Sequence, residues 1–141
     1  HCISSAASDV YKRQTLDSSG NFSTNGSITA TGTITDSKGN IRKIIISSKS
    51  SAYTLVAADA GKAIYISTGG VTVPNAVFSA GDAITIINNS GSSQTITQGT
   101  NVTMYNTADA ATGNRALAGR GMATMYFVDS STAYISGSGL S

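Results

Sequence analysis

The sequence has no glutamate and no tryptophan, and it has only one histidine, one cysteine and one proline in 141 residues. A single cysteine cannot form an internal disulfide. Charged residues make up 11% of the chain, and the formal net charge is +2. No basic run is interleaved with aromatic residues, and no stretch approaches the ~20 apolar residues of a transmembrane helix. The sequence therefore predicts neither nucleic-acid binding nor insertion into a membrane.

The residues that are abundant favour β-structure. Serine and threonine together supply 40 residues, and isoleucine and valine supply 21 against four leucines. β-Branched side chains suit a pleated, half-buried surface, whereas leucine, glutamate and lysine are better helix formers. The composition therefore predicts an all-β fold.

Residues 1–14 differ in composition from the rest of the chain. The segment from Ser4 to Gln14 is similar to the in-frame translation of a transposase adapter used in short-read DNA library preparation. We interpret residues 1–14 as a disordered, adapter-derived artefact in a sequence from a metagenomic sample, and we expect the natural N-terminus to be missing. A segment of this kind does not contribute to the fold, and this one contains the only histidine, His1, and the only cysteine, Cys2.

Little catalytic chemistry is left once residues 1–14 are set aside. A chain without histidine, cysteine and glutamate has no Ser-His-Asp or Cys-His machinery, no imidazole or thiolate metal ligands and few general bases. Aspartates in turns or at strand ends usually cap the local backbone. We therefore predict no enzyme activity, no metal site and no cofactor. Six aspartates remain, and all lie at such positions: Asp17, Asp36, Asp59, Asp82, Asp109 and Asp129.

Residues 15–47 predict a shaft-like β segment or a linker. Short alternating runs are separated by glycine and asparagine, and the large apolar residues are few. Such a segment cannot bury a core alone, because isolated hairpins are marginally stable. It is either a flexible linker or a segment that pairs with copies of itself. Residues 47–51 predict a polar connector before the next domain.

Residues 52–141 predict a globular domain, a small antiparallel β-sandwich or barrel, because short strands recur with turn residues between them. Residues 55–62 predict one helical or 3₁₀ turn. Ile84 and Ile86 share one face of a strand, and Val77 and Phe78 are expected to pack under the core. Residues 105–120 predict one long irregular stretch, a kind of segment that is often functional.

Three residues in or beside that stretch are candidate contacts for a glycan or for another subunit. Tyr105 opens the stretch, and Arg115 and Arg120 lie on either side of Leu117. The structural alternative is that the arginines are solvated or cap carbonyl groups. The other tyrosines are interpreted as amphipathic strand residues, and they are Tyr53, Tyr65, Tyr126 and Tyr134.

Several motifs resemble a module of bacteriophage tail-fibre and virion structural proteins. They are YTLVAADAGK at residues 53–62, GGVTVP at 69–74, VFSAGDAITIINNS at 77–90, QTITQG at 94–99 and NRALAGRGMATM at 114–125. The upstream run at residues 20–40 is similar to the shaft repeats of phage fibres. The resemblance implies an extracellular virion protein, a homotrimer and contact with a host cell-surface polysaccharide. Alternatives with the same physical character are a capsid decoration or head-fibre protein and a bacterial extracellular adhesin domain.

Overall fold

The computed structural model describes residues 15–16, 22–23, 26–37, 39–41 and 43–141, so the interpretation of residues 1–14 lies outside the described residues. The chain divides into two units, residues 1–34 and residues 35–141. In the first unit, β1 (Thr15–Leu16) pairs antiparallel with β2 (Phe22–Ser23). In the second unit, β3 (Thr35–Asp36) pairs antiparallel with β4 (Gly39–Asn40).

The remaining strands of the second unit form one nine-stranded sheet. A single 3₁₀ turn at Ala57–Asp59 lies between two of these strands, within the predicted turn region at residues 55–62. The strands are β5 (Ile46–Lys49), β6 (Tyr53–Thr54), β7 (Ala63–Ile66), β8 (Val71–Val73), β9 (Ala83–Asn88), β10 (Gln94–Gln98), β11 (Thr103–Asn106), β12 (Arg115–Phe127) and β13 (Thr132–Leu140).

Strands β5 to β10 wind as a two-sided coil. β5, β7 and β9 pair in parallel along one side, and β6, β8 and β10 pair in parallel along the other. The chain crosses from one side to the other after each strand. In register, Ile46 lies beside Ala63, and Ala63 lies beside Thr85. Each full turn of the coil therefore adds one strand to each side.

The long strand β12 joins the two sides. Its first residues pair with β10, and residues from Met122 to Tyr126 pair with β9. Between Leu117 and Met122 the register shifts at a bulge, a feature that bends a strand. The sheet becomes nearly closed and barrel-shaped, so the all-β prediction is confirmed.

The sheet is mixed in strand direction. Three of its pairs are antiparallel, and all three involve β12. The others, including β11 with β13, are parallel. Sequence alternation specifies which side chains face the core, but it does not specify strand direction. The antiparallel expectation therefore applies only to the pairs that β12 makes.

The core lies inside the barrel. On β9, Ile84 and Ile86 are buried, as their alternation predicts. Phe78 is also buried, with its ring centroid 4.5 Å from that of Phe127, and Val77 packs partly buried against the same cluster. The inward-facing side chains of the strands therefore form the core, and Val77 and Phe78 from the loop before β9 pack against them.

Two boundaries differ from the sequence expectation. Residues 47–49 belong to β5 rather than to a polar connector. Serine is compatible with an exposed edge strand, where only backbone groups must pair. β11 ends at Asn106 and β12 begins at Arg115, so the irregular stretch covers residues 107–114 rather than 105–120. The alternation in β12 is difficult to detect because alanines occupy outward positions that are usually polar.

Candidate functional site

Three tyrosines lie side by side on the outer surface of the sheet. Tyr126 on β12 is the register partner of Tyr134 on β13, and Tyr134 is the register partner of Tyr105 on β11. Register partners project from the same face of a sheet. We call these three residues the tyrosine ladder.

The ladder faces away from the core. Tyr126 is 49% exposed and Tyr134 is 43% exposed, whereas their neighbours Met125 and Ile135 are buried. The rings of Tyr105 and Tyr134 stack with centroids 5.3 Å apart. Neighbouring strands are ~4.8 Å apart, so three strands present a platform about 10 Å across.

The surface beside the ladder includes apolar side chains and hydroxyl groups. Met122 and Val128 on the same face are 52% and 42% exposed. The Thr85 and Thr124 hydroxyl oxygens lie 3.3 Å apart. Together these residues give an outer face that combines apolar area with hydroxyl groups.

This surface suits a ligand that is partly apolar and partly hydroxylated. A tyrosine ring offers a flat apolar face, and its hydroxyl group donates and accepts hydrogen bonds. The C–H faces of sugar rings and their hydroxyl groups match both properties. An aromatic platform of this size also matches the composition of protein interfaces.

The three candidate residues from the sequence occupy different places. Tyr105 is part of the tyrosine ladder. Arg115 is the first residue of β12, where it pairs with Ile96. Arg120 lies at the bulge of the same strand. No hydrogen bond among the described residues joins any two of them.

Arg115 points inward, although it carries a charge. Its exposed fraction is 9%, and Leu117, two residues along the strand, is also buried. The Nε atom is buried and has no hydrogen-bond partner within the described part of the chain. Leaving a buried donor unsatisfied costs about 1–3 kcal/mol. Arg115 is therefore poorly placed for contact with a large surface ligand.

Arg120 points outward from a strained backbone. Its φ is +64°, a left-handed conformation that costs roughly 1–2 kcal/mol for residues other than glycine. Its backbone N–H donates to the Ser90 carbonyl over 3.1 Å, and its guanidinium donates to Asn89 Oδ1 over 2.6 Å. These bonds hold the bulge against the turn that follows β9.

A shallow groove of about 250 Å³ is lined in part by Asn89, the residue whose side chain accepts the hydrogen bond from Arg120. The groove is at the carboxyl ends of β5, β7 and β9, because Ser67 and Asn89 directly follow β7 and β9. We call it the β5–β9 groove. Its lining residues are Ser48, Lys49, Ser50, Tyr65, Ser67 and Asn89.

Tyr53 makes contacts that stabilise the fold. Its hydroxyl donates to Asp59 Oδ2 over 2.9 Å, and the Val56 backbone N–H donates to the same oxygen. The Lys49 ammonium lies 3.9 Å from the centroid of the Tyr53 ring. Burial and the neighbouring Asp59 carboxylate raise the pKa of Tyr53 to about 12. The phenol therefore stays protonated and ties β6 to the 3₁₀ turn.

Two of the three ladder residues were interpreted from the sequence as ordinary strand packing. Tyr126 and Tyr134 each follow and precede a buried residue, so alternation could have placed them on the outer face. Their adjacency depends on the pairing of β11, β12 and β13, which no local pattern indicates. The residues of the β5–β9 groove were missed for the same reason.

Across the described residues, no group of three or more histidine, cysteine, aspartate or glutamate side chains is placed to hold a metal ion. In the same residues, no helix has the length and apolar character needed to cross a membrane. A scan against protein-family models finds no match, and searches of the curated proteins and of the solved structures find no similar protein.

Proposed function

We propose that this chain is a structural component of a phage virion, a tail-fibre segment whose barrel contacts a host-surface glycan through the tyrosine ladder. The observation that carries the proposal is the register of Tyr105, Tyr134 and Tyr126 on an exposed face. The motifs that resemble phage tail-fibre modules support the class of protein, and the ladder supports a surface suited to glycan binding.

The tyrosine ladder presents exposed aromatic rings that the fold does not need for its core. The core of the barrel is filled by inward residues such as Ile84, Met125 and Phe127. Exposed strand positions are satisfied by threonine or serine, as at Thr124 and Ser136 on the same face. Large exposed rings in register therefore favour a binding role, since exposed apolar patches commonly mark interaction sites.

The proposed role is structural rather than catalytic, and the proposed assembly is a homotrimer outside the cell. Three isoleucines before and within the edge strand β5 support assembly, because Ile41, Ile44 and Ile46 are 60%, 68% and 62% exposed. An unpaired edge strand with exposed apolar residues is suited to pairing with another chain. Copies of the same chain would bury these residues.

The glycan contact is tested by binding of purified host-surface polysaccharides to the full chain by calorimetry. Tyr126→Ala and Tyr134→Ala should each weaken binding at least tenfold, since large aromatic anchors dominate interface energies. Val56→Ala is the control, because Val56 is an apolar residue of similar exposure, 47%, that precedes the 3₁₀ turn and lies on none of the three ladder strands. Equal losses of polysaccharide affinity in all three variants would show that the ladder has no specific role in binding.

The assembly is tested separately by sedimentation of the full chain over a wide concentration range. A trimer is expected, and Ile44→Asp should shift the population towards monomer by placing a charge on the buried face. Finding only monomer at the highest concentration would refute the trimer and leave the glycan contact to stand on its own test.

A further inference from the structure

A position that favours glycine is occupied by arginine. In the sequence Gly119-Arg120-Gly121, Arg120 has the positive φ, and neither neighbouring glycine does. Gly119 has a different constraint, because a β-carbon there would lie 2.6 Å from the Gly91 carbonyl group. Glycine at position 120 would adopt the same backbone with less strain. Ala76, Asn101 and Ala110 also have a positive φ, so the role of Arg120 must be judged from the contacts of its side chain.

The guanidinium has unused donors. Within the described chain its side-chain hydrogen bond goes to Asn89 Oδ1, whereas a guanidinium carries five N–H donors. One exposed hydrogen bond to a neutral amide is a weak reason to keep a strained arginine. The planar fork of arginine is better matched to a carboxylate or sulfate, which accepts two parallel hydrogen bonds.

The β5–β9 groove supplies the rest of a polar site. Asn89 lines this groove and holds Arg120 at its side. Among the described residues, the Ser48 and Tyr65 hydroxyl groups and the Asn89 amide nitrogen make no hydrogen bond. The charged residue in the lining is Lys49, whose ammonium rests on the Tyr53 ring and forms no ion pair with a described residue. The groove therefore has one cationic residue in its lining, Lys49, contacts a second, Arg120, through Asn89, and offers the hydroxyl groups of Ser48 and Tyr65 to a ligand.

We infer that Arg120 and the β5–β9 groove form a subsite for the acidic group of a saccharide, a carboxylate or sulfate on a sugar ring. The volume of about 250 Å³ is below the ~300–1,000 Å³ of drug-sized ligand sites, so one sugar ring fits better than an extended chain. Arg120 binds the anionic group, Lys49 adds favourable charge, and Tyr65 and Asn89 contact the ring hydroxyls.

The choice of a saccharide rests on the proposed glycan contact, but the residues are different. Tyr65 and Tyr126 both project from the outer face of the sheet that joins β7, β9 and β12. The groove and the tyrosine ladder thus lie on one continuous face. The groove would give the chain a preference for acidic over neutral surface polysaccharides.

The experiment is a titration of the full chain with sodium glucuronate, glucose and sodium sulfate, followed through backbone amide chemical shifts. Glucuronate should shift the Tyr65, Asn89 and Arg120 signals, and glucose and sulfate should each bind about tenfold more weakly or worse. Arg120→Gly should weaken glucuronate binding about tenfold, as expected for loss of a charge-assisted hydrogen bond. Arg115→Met is the matched control, because it removes the same charge from the buried side of β12 and should leave binding unchanged.

Four results would overturn the inference. They are equal binding of glucose and glucuronate, equal binding of sulfate alone, unchanged glucuronate affinity in Arg120→Gly, and an effect of Arg120→Gly on oligomeric state instead of affinity. The two proposals fail separately. If polysaccharide does not shift the amide signals of the ladder residues but glucuronate still shifts those of the groove, only the ladder proposal is refuted. If polysaccharide shifts the ladder signals but glucuronate does not shift the groove signals, only the groove proposal is refuted.

Discussion

Tyr105 stacks on Tyr134 across the parallel pair of β11 and β13, with ring centroids 5.3 Å apart and ring planes inclined by 25°. Offset stacking of this kind contributes about 0.5–1.5 kcal/mol beyond burial. The same two rings form the side of the tyrosine ladder nearest to the irregular segment at residues 107–114. Tyr105 and Tyr134 therefore contribute both to the stability of the fold and to the proposed binding surface.

This stacking predicts an energetic coupling between the two residues. A double-mutant cycle of Tyr105→Ala and Tyr134→Ala in urea unfolding should give a coupling free energy of about 0.5–1.5 kcal/mol. Tyr105→Ala combined with Tyr126→Ala is the control, because β13 separates those two strands. Equal coupling in both cycles would mean that the stack has no specific contribution.

Arg120→Gly should stabilise the protein while removing the proposed ligand contact. Relief of the positive φ is expected to raise the free energy of unfolding by about 1 kcal/mol. Thr124→Gly on the same strand has no such strain to relieve and should lower it by about 0.5–1 kcal/mol. A loss of stability in Arg120→Gly similar to that in Thr124→Gly would show that the Asn89 hydrogen bond outweighs the strain.

Arg115→Met should leave the protein at least as stable as the original. Methionine retains much of the buried length and removes the unsatisfied Nε donor. Arg115→Ala removes the packing of the aliphatic stem as well, so its free energy of unfolding should fall. If methionine lowers stability by more than ~1 kcal/mol, Arg115 is satisfied by a group beyond the described residues.

The raised pKa of Tyr53 predicts that the protein loses stability in strong alkali. Its pKa is raised in the folded state from 10 to about 12, so folding favours the neutral phenol. The corresponding stabilisation is complete below pH 10 and is lost as the pH rises through about 12. Urea midpoints measured from pH 9 to 12 should fall, and Tyr53→Phe should remove that part of the slope. Identical slopes in both proteins would rule out this role of Tyr53.

Gly137→Ala should be strongly destabilising. Gly137 is the register partner of Ala123, and a β-carbon at position 137 would overlap the Met122 carbonyl oxygen. We expect a loss of about 2 kcal/mol or more, because the contact is with backbone that cannot move freely. Gly91→Ala is the control, since no atom lies within 4 Å of the added carbon. Similar thermal midpoints in the two variants would contradict the close approach of β12 and β13.

Local patterns were enough to predict the fold class and several elements. The richness in isoleucine, valine and threonine predicted strands, and alternation placed Ile84 and Ile86 on one face of a strand, the face that is buried. The 3₁₀ turn and the packing of Phe78 were also expected. These features depend on side-chain period and turn chemistry within a few residues, so the sequence contains them directly. Tyr105 was singled out for its position beside the irregular stretch.

Tertiary structure decided how those elements combine. The parallel coil of β5 to β10, its closure by β12 and the alignment of Tyr105, Tyr134 and Tyr126 all depend on pairing between distant strands. Sequence alone placed Arg115 and Arg120 in one irregular stretch, but both belong to β12, whose alternation buries Arg115 and exposes Arg120. Period-2 alternation indicates which face of a strand is apolar and therefore buried. It does not indicate which strands lie adjacent, because that depends on pairing between segments far apart in the chain.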